Sequence, residues 1–223
     1  VSYMIETYFY DAVRTPRGKG KRDGGLYHAT PVWLLRTLLQ ALQQRNRLDT
    51  ALVDDVVLGC VTPVGEQGAD IARTAVLDAG WAQSVAGVTL SRYCGSGLEA
   101  INLATAKIAS GMEDMVVAGG VESMSRWTMG SDGGAWYMDP RVSAGRLATV
   151  GGFSRQDWDA FAAESHRRAA LAQAEGRFNK SIVTVNDLNG MTFLAQDETI
   201  RSGTSVESLA KLNPSFEQMG KMG

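Results

Sequence analysis

The sequence predicts an α/β protein in two parts: a mostly parallel mixed sheet with helices over residues 1–122, then a smaller α+β region over 123–223. Two observations predict it. Strand-like and helix-like segments alternate as β-α-β-α-β-α-β through the first part, an order that builds a parallel sheet covered by helices. After residue 123 the character changes. "MSRWTMGSDGGAWYMDPRVSAG" is aromatic, Met-containing and Gly-rich without a clear period, and a helix, a hairpin and a short helix follow it.

Each element has a local reason. "TYFYDAV" (7–13) alternates and is rich in aromatics, so it reads as a strand, and "RTPRGKGKRDGG" reads as a polar loop. In "TPVWLLRTLLQALQQRNRL", Thr30 suits an N-cap and Pro31 the first helical position, and Leu34, Leu35, Leu38 and Leu42 recur at helical spacing. "VDDVVLGCV" (53–61) is a strand ending near Gly59 and Cys60; "GADIARTAVLDAG" (68–80) is a helix stopped by Gly80. "VAGVTLSRY" (85–93) is the next strand. A helix from about Gly95 to Ser110 puts Leu98, Ile101, Thr105 and Ile108 on one face, and "MEDMVVAGGVE" (112–122) holds a short strand. Later, Ser154 and Asp157 have capping-box spacing, with Trp158, Phe161, Ala162, Ser165 and Ala169 as the inner stripe. "KSIVTVNDLNGMTFLA" reads as a hairpin turning at Asn189-Gly190, and a short helix is expected near 204–211.

Composition narrows the function. The chain has 223 residues, 44% hydrophobic and 21% charged, with a net charge of -2. Arg17, Lys19, Lys21 and Arg22 make only a short basic cluster, so nucleic acid is not an expected partner. No apolar stretch approaches the roughly 20 residues of a membrane span. The first residues lack a basic segment followed by a long apolar core, so no signal peptide is expected. Two cysteines, Cys60 and Cys94, are too few for a disulfide framework and lack metal-site spacing, which fits a reducing, cytoplasmic setting without a metal. "GKGKRDGG" lacks the strand–turn–helix context of a nucleotide loop.

The chemistry centres on "SRYCGSGLEAI" (91–101). A strand ends at Tyr93 and a helix begins just after Cys94, so the sulfur stands at a helix N-terminus, where free N–H groups and the positive dipole end favour a thiolate. Gly95 and Gly97 permit a sharp bend and leave room for a substrate, and nearby backbone N–H groups can steady an oxyanion. A thiolate there suits acyl transfer through a thioester. The local pattern equally fits a small buried cysteine beside a tight turn.

At these residues the chain resembles the thiolases, the acyl-CoA/acetyl-CoA C-acyltransferases. "CGSGLEAINLA" is similar to their nucleophile motif, "DAVRTPRGK" to their opening strand and loop, "VDDVVLGCVTPVGEQGADIARTAVLDAG" to their second strand and helix, and "VVAGGVESMS" to the next strand. "FSRQDWDAFAAESHRRAALA" and "DETIRSGTSVESLAKLNPSF" resemble parts of their loop domain. The resemblance implies a thiolase-like N-terminal α/β core at 1–122 carrying the nucleophile Cys94, and an inserted loop domain at 123–223 that holds coenzyme A. It implies 3-ketoacyl-CoA or acetyl-CoA as substrate, coenzyme A as acyl acceptor, no further cofactor, a place in fatty-acid β-oxidation, and a homo-oligomer. Arg201 in "TIRSGT" and Ser208 in "VESLAK" match positions that contact the nucleotide part of coenzyme A. A guanidinium pairs with phosphate and stacks on adenine. A solvated arginine and an ordinary helix-surface serine are the plain alternatives.

The chain also departs from that family. Its catalytic histidine in a Gly-His-Pro context and its second cysteine before Gly-Gly-Gly have no counterpart. His28 and His166 are the only histidines, and each reads as structural or solvated; Cys60 reads as a buried strand residue. "MDPRVSAGRLAT" is short for the family at that point. The expectation is therefore an N-terminal half, its C-terminal half absent and supplied by further chain or another polypeptide, with a sheet edge and an apolar face uncovered. A catalytically incomplete module that binds coenzyme A or a partner subunit is the second reading, and a ketoacyl-ACP synthase the third. Met124, Trp127, Met129, Trp136, Tyr137 and Met138 fit an acyl pocket, a domain core or a dimer contact.

Overall fold

Thr30 starts the first helix as its sequence dictates: its side chain accepts from the Trp33 N–H, and Pro31 occupies the first turn, where a missing N–H costs nothing. The computed structural model describes residues 5–133 and 151–214. Their elements are α1 (Pro31–Asn46), β1 (Asp55–Gly59), α2 (Ile71–Asp78), β2 (Ala86–Leu90), α3 (Ser96–Ala109), β3 (Val116–Gly120), α4 (Arg155–Ala174), β4 (Val185–Asn186), β5 (Thr192–Leu194) and α5 (Val206–Ala210). The chain divides into two compact units, 1–132 with 181–198 and 133–180 with 199–223.

In the first unit, β1 is the centre of a parallel sheet ordered β2-β1-β3, in register from Asp55 opposite Ala86 and Val116 to Gly59 opposite Leu90 and Gly120. All five β1 residues are buried, as befits a strand covered on both faces. Alternation along the strand assigns the faces. Val56 and Leu58 join Leu35 and Leu39 of α1, and Ile71, Ala72, Ala75 and Val76 of α2, in the main core. Asp55 points the other way, to Lys107 of α3, and Gly59 meets Ser96 at the start of the same helix. α3 therefore runs antiparallel to β1.

The face of α3 that meets the sheet is made of small residues, Ser96, Ala100 and Ala104. Of the larger residues expected on one face, Leu98 is 65% exposed, and Ile101, Thr105 and Ile108 are half-buried. Short side chains let helix and sheet approach closely, and the bulky apolar residues are left outward.

The expected strand at 7–13 does not form. Only Arg14 makes an isolated bridge, to Ile182, and Phe9 and Tyr10 are 78% and 88% exposed. An alternating aromatic segment has strand propensity, but a strand needs a ladder partner, and none of the described residues offers one to 7–13. The other strands and helices form where their patterns predict, with ends trimmed by a few residues.

The hairpin turns at Gly190, whose φ of 82° a glycine adopts without strain. β4 and β5 are antiparallel, and Val185, Phe193 and Leu194 pack on Leu26, Ala29 and Leu34. The hairpin thus belongs with the first unit, and the division differs from the boundary expected at 122/123. Asp197 and Glu198 fasten the Gly-rich loop to it. Asp197 takes two bonds from the Arg14 guanidinium at 2.6 and 2.8 Å and one from the Arg17 N–H at 2.8 Å. Glu198 takes the Lys19 and Gly25 N–H groups at 2.8 and 3.1 Å.

In the second unit, Ser154 and Asp157 form the expected capping box, and Phe153 stacks edge-on against Trp158 at 5.6 Å as a hydrophobic staple. The expected inner stripe is not the buried one, since Trp158 and Phe161 are exposed and Asp159 is the buried residue of α4. Asp159 holds Arg155, whose guanidinium donates to the Leu209 and Leu212 carbonyls at the end of α5. A charged clamp thus fastens α5 to α4.

The Arg14 guanidinium, more than any other group, holds the Asp197 carboxyl below the usual carboxylate range. A depressed carboxyl contributes stability that is present above its unfolded value, near pH 4, and lost as pH falls through its folded value. Asp197→Asn is expected to lower unfolding free energy by on the order of 2 kcal/mol at neutral pH, less as pH drops below about 4. Urea unfolding across pH checks this; parallel pH curves for the two proteins would refute the assignment.

Candidate nucleophile site at the end of the parallel sheet

Four residues after β2, the chain reverses into α3 through a turn that carries Cys94 on the surface. Tyr93 adopts φ 49°, a left-handed conformation costing roughly 1–2 kcal/mol for a side chain with a Cβ. Local hydrogen bonds hold it. The Gly95 N–H donates to the Arg92 carbonyl at 3.1 Å and the Ser96 N–H to the Tyr93 carbonyl at 2.9 Å. The Ser96 hydroxyl donates to the Tyr93 carbonyl at 2.6 Å and accepts from the Arg92 N–H at 2.9 Å. At the rim, Arg92 pairs with Glu99 at 2.7 Å.

This turn stands over the C-terminal ends of the strands, where parallel sheets receive ligands. Gly59 brings it there. A Cβ at Gly59 would lie 2.5 Å from the Ser96 carbonyl carbon, so no larger residue permits this approach. A Cβ at Gly97 would meet nothing within 4 Å, so the first turn of α3 is open there. The N–H groups of Gly95 and Ser96 are both engaged within the turn. An oxyanion beside Cys94 must therefore draw on other donors while the turn keeps this form.

Beyond the ends of β1 and β3 lies a polar network that the sequence did not reveal. Gln67 has no exposed surface. Its amide nitrogen donates to the Thr62 carbonyl at 2.7 Å and to Glu122 at 2.8 Å, and its amide oxygen accepts from the Ser123 N–H at 3.1 Å. Glu122 also takes the Val61 N–H at 2.7 Å. The network ties the segment after β1 to the segment after β3. Cys60 sits within it, buried as expected, its N–H on the Leu90 carbonyl at 3.0 Å. Burial, reinforced by the Glu122 charge, pushes its thiol up to about 11.

The remaining candidates lie elsewhere. His28 is exposed and meets Tyr27 edge-on at 5.2 Å, and no hydrogen bond links either histidine to Cys94 among the described residues. In the second unit, His166 Nδ1 accepts from the Arg201 N–H at 3.2 Å, and the Arg201 side chain is exposed. Ser208 closes a capping box on α5: its hydroxyl accepts from the Ser205 N–H at 3.0 Å and donates to the Ser205 carbonyl at 2.8 Å. Its local role is thus to start a helix. Met124 and Met129 are exposed and Trp127 packs against Gly65, whereas Trp136, Tyr137 and Met138 lie outside the described residues, as does 139–150. No group of three or more potential metal ligands and no helix long and apolar enough to cross a membrane occurs among the described residues.

Gln67→Ala would leave the Ser123 N–H and one Glu122 oxygen unpaired together and take one of two donors from the Thr62 carbonyl, which keeps the Val64 N–H at 2.8 Å. It is expected to lower unfolding free energy by about 3 kcal/mol, measured by denaturant titration; a loss below about 1 kcal/mol would show that the network is dispensable. The two thiols should also differ. Iodoacetamide at pH 8 is expected to label Cys94 in the native protein and Cys60 only after unfolding, read by peptide mass mapping. Equal native labelling would contradict the burial of Cys60.

Known proteins share this pattern. A family model described as "Thiolase, N-terminal domain" matches residues 8–136 and 140–223. A 3-ketoacyl-CoA thiolase of Saccharophagus degradans is 35% identical over 229 residues, an alignment covering 94% of this chain and 57% of that protein. One from Shewanella baltica is 38% identical over 229 residues, covering 96% and 59%, and one from Acinetobacter baumannii 37% over 228, covering 94% and 57%. The chain spans less than three-fifths of the length of these curated relatives. With that match running along nearly its whole length, the chain belongs to the thiolase family and carries the family's N-terminal domain.

Proposed function

We propose that this chain supplies the nucleophile and coenzyme A contacts of a thiolase-type acyltransferase that acts on 3-ketoacyl-CoA. The observation that carries the reading is the exposed Cys94 on a tightly bonded turn, at the N-terminus of α3 and the C-terminal end of a parallel sheet. In the degradative direction the Cys94 thiolate attacks the 3-keto carbon. The bond between C2 and C3 breaks, and its electron pair leaves on C2 as the enolate of acetyl-CoA, which takes a proton. The acyl group remains on sulfur as a thioester. The thiol of a second coenzyme A, losing its proton, attacks that thioester, frees the Cys94 thiolate and departs as acyl-CoA. In the synthetic direction the same steps run backwards from acetyl-CoA.

Both proton transfers need an acid–base group. Neither His28 nor His166 is joined to Cys94, so these transfers fall to residues outside the 223, in the same polypeptide or in a partner. Residues 133–180 and 199–223 are assigned to the coenzyme A-binding loop domain, with Arg201 toward the phosphates and Ser208 beside the nucleotide. The exposed Arg201 supports that assignment; the Ser208 hydroxyl would have to add a contact to its capping bonds. β-Oxidation, a cytoplasmic setting and a homo-oligomer complete the reading. The missing proton-transfer groups favour one alternative, a module that binds coenzyme A or a partner subunit without turnover.

Intact mass spectrometry after brief exposure to acetoacetyl-CoA is expected to show an acetyl adduct that maps to Cys94 and is absent from Cys94→Ala. Arg201→Ala is expected to weaken coenzyme A binding by about tenfold in calorimetry, the worth of one charge-assisted phosphate contact. Binding without an adduct would select the non-catalytic module, and neither binding nor an adduct would refute both readings.

A further inference from the structure

We infer that Ser96 is the positioning residue of the Cys94 turn, a role resting on the reading of Cys94 as nucleophile. Ser96 is 4% exposed, and its side chain does two things at once. Its hydroxyl bridges the turn from within, accepting from the Arg92 N–H at 2.9 Å and donating to the Tyr93 carbonyl at 2.6 Å. Its Cβ sits where a Cβ on Gly59 would come within 2.6 Å, so the end of β1 blocks any retreat of Ser96 toward the sheet. Wedged between a strand and a turn, the hydroxyl holds the two residues before Cys94 to the first residue of α3. Tyr93 keeps its φ of 49° because Arg92 before it is tied to Gly95 and Ser96, and its own carbonyl to Ser96. Without the hydroxyl, the Arg92 N–H loses this acceptor and the Tyr93 carbonyl loses one of its donors, keeping the Ser96 N–H. Tyr93 then relaxes out of the left-handed region and carries Cys94 away from the helix axis.

Alanine at this position keeps the Cβ against Gly59 and deletes only the bridge, so the effect falls on the turn rather than on the core. Ser96→Ala is expected to lower the second-order rate of Cys94 alkylation by iodoacetamide about tenfold at pH 7.5, with α3 intact by circular dichroism, since small displacements of a reacting atom cost one to two orders of magnitude. Ser96→Thr, which restores a hydroxyl, is expected to recover the rate to within about threefold. Alkylation of Ser96→Ala at the unaltered rate overturns the inference. So does failure of a folded Ser96→Thr to recover it, because packing rather than the hydroxyl would then be responsible. If the threonine variant does not fold, hydrogen exchange at the Arg92 amide of Ser96→Ala decides: faster exchange supports the bridge, and unchanged exchange overturns it. Alkylation needs no acyl-CoA, so the two readings fail separately. An alkylation deficit without any acyl adduct in the unaltered chain would leave Ser96 in place and remove acyl transfer. An adduct with no alkylation deficit would do the reverse.

Discussion

The closeness of α3 to the end of β1 is the constraint on which the rest of the site depends. It exists because Gly59 has no side chain and because the sheet-facing residues of α3 are small. Two anchors fix the helix against the strand. Ser96 abuts Gly59 at one end, and Lys107 bridges Asp55 and Glu113 at the other. With both ends set, the turn before α3 has little freedom, and a strained Tyr93 becomes affordable. The exposed sulfur is thus placed by the hydrogen bonds that hold the backbone of its turn.

Much of this was legible from residues. Thr30-Pro31, Ser154 with Asp157, and Asn189-Gly190 each encode a local hydrogen-bonding arrangement within a few positions, and those elements form as read. Strand 7–13 misled because its alternation specifies a face without specifying a partner. The stripe on α4 misled in a related way. Hydrophobic spacing identified one side of the helix, while a buried Asp159 and its arginine decided what docks on α5.

The site itself was half legible. The Cys-Gly-Ser-Gly run pointed to a nucleophile turn, but nothing in it marked the serine as the group bridging Arg92 and Tyr93. Gln67 and Glu122 were invisible because a buried polar network joins residues 55 positions apart, and no local pattern announces such a pairing. Ser208 shows the opposite case. A position marked by resemblance turns out to have an ordinary structural duty that sequence spacing alone, Ser205 to Ser208, already signalled.

The fastening of the Gly-rich loop by Asp197 and Glu198 also bears on how the chain is made. The Arg14–Asp197 pair spans 183 positions, and the residues of the second unit at 133–180 are synthesised between its two halves. During translation, the segment around Arg14 emerges first and waits, unfastened, while the β1-β2-β3 sheet and then α4 leave the ribosome. The Arg14–Asp197 contact is consequently a late, long-range one that closes a span of 183 positions. Until then the Gly-rich loop lacks its tethers to Asp197 and Glu198, and the time spent in that open form depends on the rate of elongation.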